Sequence, residues 1–101
     1  MQYGLTEENI HLLKAIFGKY NAVKEVVLYG SRAKGNYTNR SDIDLVIKDS
    51  KTDRHIIANI LLDFDDSNLP YLVDLQDLSN IKNIQLIEHI SRVGKVLYKR
   101  D

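Results

Sequence analysis

Two short apolar runs joined by a polar link constrain this chain more than any other feature. Glu25–Tyr29 (EVVLY) is rich in β-branched residues and stops at Gly30, while Asp42–Ile47 (DIDLVI) alternates acidic and aliphatic side chains. Both patterns predict strands. Ten residues lie between Ser31 and Asp42. A parallel crossover takes roughly a dozen or more, so the two strands are expected to be antiparallel neighbours. Only that pairing brings Gly30 and Ser31, past the end of the first strand, to Asp42 at the start of the second.

The rest of the chain alternates helical and extended patterns. Thr6 followed by Glu7 and Glu8 predicts a capped helix start, and Ile10, Leu13, Phe17 and Tyr20 recur at helical spacing to about residue 20. Residues 31–34 can form one helical turn before Gly35, and 36–41 are polar and loop-like. Thr52 or Asp53 is expected to cap a further helix with Ile56, Ile57, Ile60, Leu61 and Phe64 on one face, stopped by Pro70. Tyr71–Leu75 predicts a third strand. Ser79 is expected to cap a last helix carrying Ile81, Ile84, Ile87 and Ile90, with Gly94 at its end. Lys95–Tyr98 predicts a short edge strand. Together these elements predict an α/β sheet layered with helices.

Composition removes several classes. With 44% hydrophobic residues and one proline in 101, the chain is globular and sized for one domain, 1–101. No cysteine is present, which excludes disulfides, thiolate metal sites and cysteine nucleophiles. Fourteen basic residues balance fourteen acidic ones, so direct nucleic-acid binding is not expected. Locally the charges segregate: Arg32, Lys34 and Arg40 form a basic stretch, whereas five aspartates and no Lys or Arg occupy 63–77. No apolar run approaches the ~20 residues of a membrane-spanning helix, and the N-terminus lacks a signal-peptide layout, so a cytoplasmic location is expected.

Chemistry concentrates in Gly30-Ser31 and Asp42-Ile43-Asp44. Backbone N–H groups and the Ser31 hydroxyl, at a strand-to-helix turn, can face a phosphate. Asp42 and Asp44 alternate along a strand and so project from one face. Paired carboxylates with a phosphate between them make a set of hard oxygen ligands suited to Mg²⁺. Asp74, in Val-Asp-Leu, is the acid centred in another apolar strand, where a charge needs a partner or a metal. It fits as a third carboxylate that takes a proton from an attacking hydroxyl, or as a salt-bridge partner of Arg32, Lys34 or Arg40. Gly-Ser alone can be merely a turn, and Asp-x-Asp an edge feature. Their joint spacing favours a site. His11, His55 and His89 are scattered and are expected in surface or capping roles.

Val27-Leu28-Tyr29-Gly30-Ser31-Arg32-Ala33-Lys34-Gly35, continuing to Ser41-Asp42-Ile43-Asp44-Leu45-Val46, resembles the signature of the minimal nucleotidyltransferases of the DNA polymerase β-like superfamily. The resemblance covers about residues 25–48, with Asp74 matching the third acid. An acid often seen in relatives after the glycine is Asn36 here. The resemblance implies a small mixed sheet covered by helices (a polymerase β palm-like nucleotidyltransferase fold) and NMP transfer from an NTP such as ATP. It implies two Mg²⁺ ions (or Mn²⁺) on Asp42, Asp44 and Asp74, with Gly30 and Ser31 holding the nucleotide phosphates. Arg32 and Lys34 are expected as phosphate or acceptor contacts.

Small members of the family are commonly paired, as antitoxin, with a HEPN-domain toxin that they can silence by attaching AMP to a tyrosine. The HEPN motif, an arginine followed after four to six residues by a histidine, occurs at none of the five arginines. The chain therefore resembles the nucleotidyltransferase half. The alternative, from a different class, is a non-catalytic module that neutralises its partner by occlusion. Transfer to a small molecule is disfavoured, because 101 residues leave no room for an acceptor-binding domain.

Overall fold

The computed structural model describes residues 1–50 and 52–101. Its elements are α1 (Glu7–Gly18), β1 (Glu25–Tyr29), α2 (Gly30–Lys34), β2 (Ile43–Lys48), α3 (Arg54–Asp65), β3 (Val73–Asp77), a 3₁₀ turn (Leu78–Asn80), α4 (Ile84–Val93) and β4 (Lys95–Lys99). The strands form one sheet in the order β3-β2-β1-β4. β1 pairs antiparallel with β2 and with β4, while β2 and β3 are parallel. This is the mixed sheet that the resemblance implied.

The helix starts follow from local chemistry. Thr6 Oγ1 accepts from Asn9 N and Asn9 Oδ1 accepts from Thr6 N, so two orphan amides are satisfied reciprocally. Asp53, rather than Thr52, caps α3 by accepting from Ile56 N. Thr52 instead donates to Asp77 Oδ2.

Several boundaries differ from the sequence expectation. β2 begins at Ile43, one residue after Asp42. β3 is shifted two residues along the chain: Tyr71 and Leu72 lie outside it, and Gln76 and Asp77 lie inside. Tyr71 is drawn instead over the Arg32 guanidinium, 4.4 Å from its ring centre. The two polar residues are accommodated because Gln76 donates to Tyr29 Oη, and Asp77 accepts from Thr52 and from Ser79 N and Oγ. Ser79 does not cap α4. It lies in the 3₁₀ turn held by Asp77, and Asn83 Oδ1 caps α4 by accepting from Leu86 N.

The sheet has two unequal faces. Leu28, Ile43, Leu45, Ile47 and Leu75 point to the main core, where Leu13, Ile16 and Phe17 of α1 meet Ile60 and Phe64 of α3. Phe17 and Phe64 touch edge to face at 5.5 Å. The opposite face carries a smaller cluster of Val27, Tyr29 and Val46 under Ile90 of α4. One helix cannot cover that face, so its polar end stays open. No helix among the described residues is long and apolar enough to cross a membrane.

Candidate active site

Strand register assembles the site on the open face. Asp44 is the pairing partner of Tyr29 on β1 and of Asp74 on β3, so three side chains stand in one row across three strands. Asp42, two residues before Asp44, projects to the same side. Asp42 and Asp74 are exposed, and Asp44 between them is half-buried. Burial, then the charges of Asp74 and Asp42, push the Asp44 carboxyl above the usual carboxylate range, with Arg32 pulling the other way. The Tyr29 phenol is pushed up to about 12 by burial and by Asp74 and Asp44, against the hydrogen bond from Gln76. At neutral pH it is a neutral hydroxyl.

The Gly30-Ser31 turn lies against this row. Gly30 has φ +75°, and a Cβ there would collide with the Asp44 carboxylate. Only glycine lets the turn and the acid approach so closely. Ser31 is the second residue of the short helix α2, whose C-terminal end is turned by Gly35 at φ 93°. Lys34 is exposed at the end of the same helix.

Arg32 is a correction. It was expected to contact phosphate or acceptor, but it is 1% exposed. Its Nε and Nη2 donate to Ser41 O at 3.1 and 2.8 Å, and Nη1 donates to Tyr3 O at 2.9 Å. Tyr71 and Tyr37 flank the guanidinium at 4.4 and 5.4 Å. Its donors are committed to the fold, and it reaches the site only through its field on Asp44.

His89 is the residue that sequence reasoning missed. From α4 its Nε2 accepts from Gly30 N at 3.2 Å, and its ring stands edge-on to Tyr29. Fifty-nine residues separate the two partners, so no local pattern could have signalled the contact.

The donor set suits a hard divalent cation: carboxylates on one face, with the middle one made reluctant to ionise by burial and then by its neighbours. Among the described residues, however, no three acidic or histidine side chains converge as a finished metal cage. The exposed Asp42 and Asp74 can rotate toward Asp44. An apolar groove of about 300 Å³ lies further along the same sheet face, between α4 and β4, lined by Val27, Ile87, Ile90 and Val96 among others. None of the three acids lines it.

A family model described as "Polymerase beta, Nucleotidyltransferase" matches residues 11–101. No curated protein matches the sequence. Among solved structures, a toxin–antitoxin complex crystallised with AMP-PNP is similar at TM-score 0.70 and 23% identity, covering 96% of this chain and 76% of that one. The complex of a tri-AMPylated Shewanella oneidensis HEPN toxin with its MNT antitoxin is similar at TM-score 0.68 and 18% identity, covering 95% and 74%. An MntA–HepT toxin–antitoxin complex gives TM-score 0.67 and 18% identity, covering 94% and 74%. At these identities the likeness establishes the fold.

Proposed function

The chain belongs to the polymerase β nucleotidyltransferase family, and on that premise we propose that residues 1–101 act as one unit transferring AMP from ATP to a hydroxyl of a partner protein. The observation that carries this reading is the cross-strand row of Asp44 and Asp74, with Asp42 beside it and the Gly30-Ser31 turn pressed against it. Three carboxylates kept on one open face cost stability unless a positively charged ligand offsets them.

In the proposed reaction Gly30 and Ser31 hold the triphosphate. The acceptor oxygen forms a bond to the α-phosphorus, and the bond from that phosphorus to the bridging oxygen breaks, so pyrophosphate leaves. The exposed Asp74 takes the hydroxyl proton. Asp42, Asp44 and Asp74 would hold Mg²⁺, which when bound neutralises charge on the phosphates. Tyr29 stays protonated and cannot compete for the proton. Lys34, exposed at the end of α2, would meet phosphate or acceptor.

The acceptor we propose is a tyrosine of a HEPN-domain protein, with this chain as its antitoxin in the cytoplasm. In support, one similar structure holds a tri-AMPylated HEPN toxin with an MNT antitoxin, and another was crystallised with AMP-PNP. The test incubates the chain and a HEPN-domain partner with Mg²⁺ and ATP labelled at either the α- or the γ-phosphate. Only the α-label should enter the partner. Labelling from γ-ATP would mean phosphoryl transfer, and an unlabelled but inhibited partner would mean occlusion.

A further inference from the structure

We propose that His89 is a positioning residue for the nucleotide site, fixing the turn that presents Ser31 by accepting the Gly30 amide proton. The inference rests on the reading of Gly30-Ser31 as the phosphate-holding turn. The sheet ends at Tyr29, and Gly30 leaves it with φ +75°. Glycine at such an angle is a joint that can swing unless something holds it. The first amides of a helix have no partner within it, and here the Gly30 amide is held by a side chain from a different element. Nε2 is the acceptor, so the tautomer that makes this bond is the one with its hydrogen on Nδ1.

The ring is itself positioned. It stands at 80° to Tyr29 with centres 6.2 Å apart, and Tyr29 is fixed by the hydrogen bond from Gln76. His89 lies one residue before Ile90, which anchors α4 to the sheet. α4 thus holds the turn at its amide while Asp44 packs against its Cα, since any Cβ on Gly30 would strike that carboxylate. Ser31 follows directly and takes its direction from the clamped peptide. The bond occupies Gly30 N, so Gly30 serves the triphosphate through the close approach of its backbone, while Ser31 and its neighbours supply the donors.

Glutamine places its Oε1 near where histidine places Nε2, so His89→Gln keeps an acceptor, whereas His89→Leu fills similar space without one. Both variants are to be compared with wild type by calorimetric titration of AMP-PNP with Mg²⁺, and by hydrogen exchange of the Gly30 amide. His89→Leu should weaken AMP-PNP binding about fivefold, the worth of one hydrogen bond of about 1 kcal/mol, and speed Gly30 exchange. His89→Gln should restore both, and His89→Leu should lower the thermal midpoint by no more than the loss of about 1 kcal/mol accounts for. Equal or tighter binding by His89→Leu, or unchanged Gly30 exchange, overturns the proposal. Failure of the wild type itself to bind AMP-PNP would instead overturn the nucleotidyltransferase reading on which it rests. If His89→Leu fails to fold, His89→Gln against His89→Met decides by the same two measurements.

Discussion

Replacing Arg32 separates two roles for the same charge. In the structure its guanidinium joins the N-terminal turn at Tyr3 to the loop end at Ser41 and is flanked by Tyr37 and Tyr71. Hydrogen bonds from a charged donor contribute about 1.5–3 kcal/mol each, and a partly desolvated cation–π contact about 0.5–2 kcal/mol. These terms share one side chain and do not add fully. Arg32→Met should therefore lower unfolding stability by about 3–5 kcal/mol, a large part of the 5–15 kcal/mol typical of a domain. Arg32→Lys keeps the charge but loses the planar fork that serves both carbonyls, so about half of that loss should persist. The assay is urea denaturation at neutral pH, with an unchanged slope confirming that compactness is not altered. A loss below about 1 kcal/mol for Arg32→Met would refute the structural role. Unchanged stability with abolished AMP-PNP binding in Arg32→Lys would restore the phosphate contact that the sequence suggested.

Other predictions follow from the same geometry. The native state holds the Asp44 proton more tightly than the unfolded chain, so without metal stability should fall as pH rises from 3.8 through the raised native value. Asp44→Asn should therefore raise the thermal midpoint at pH 7, and a lowered midpoint would contradict the repulsion. Asp77 has the opposite sign: burial pushes it up, but hydrogen bonds from Thr52 and Ser79 outweigh this and hold it below the usual range. Its contribution should be lost as pH falls below 3.8, and acid denaturation of Asp77→Asn should lack that component. Mg²⁺ should raise the wild-type midpoint through linkage, and Asp42→Asn with Asp44→Asn should shrink the gain; an equal gain would place the ion elsewhere. Gly30→Ala should lose about 1–3 kcal/mol in thermal unfolding through its positive φ and the collision with Asp44.

What the sequence could show depended on how local the cause was. The alternation of Asp42, Asp44 and Val46 against Ile43, Leu45 and Ile47 is a period-two signal, and the sheet uses it with one face for the core and one for the site. The antiparallel pairing of β1 and β2 followed from a short link. By contrast, Tyr71 and Leu72 look like strand but lie outside it, and Tyr71 stacks on the distant Arg32. Ser79 resembles a cap, but Asp77 takes its amide for a 3₁₀ turn and leaves capping to Asn83. A basic residue following Gly-Ser suggests a ligand contact. Only the folded positions of Tyr3, Tyr37, Ser41 and Tyr71 show Arg32 to be internal. His89 was invisible for the same reason.

The central claim is that Asp42, Asp44 and Asp74 serve AMP transfer to a partner protein, and intact-mass spectrometry of a HEPN-domain partner tests it most directly. After incubation with the wild type, ATP and Mg²⁺, the partner should gain the mass of one or more AMP residues, located on tyrosine by fragmentation. Asp74→Asn changes charge with little change in volume, so it should leave the complex intact and the partner mass unchanged. An unmodified partner that the wild type nevertheless inhibits, or full modification by Asp74→Asn, would contradict the claim.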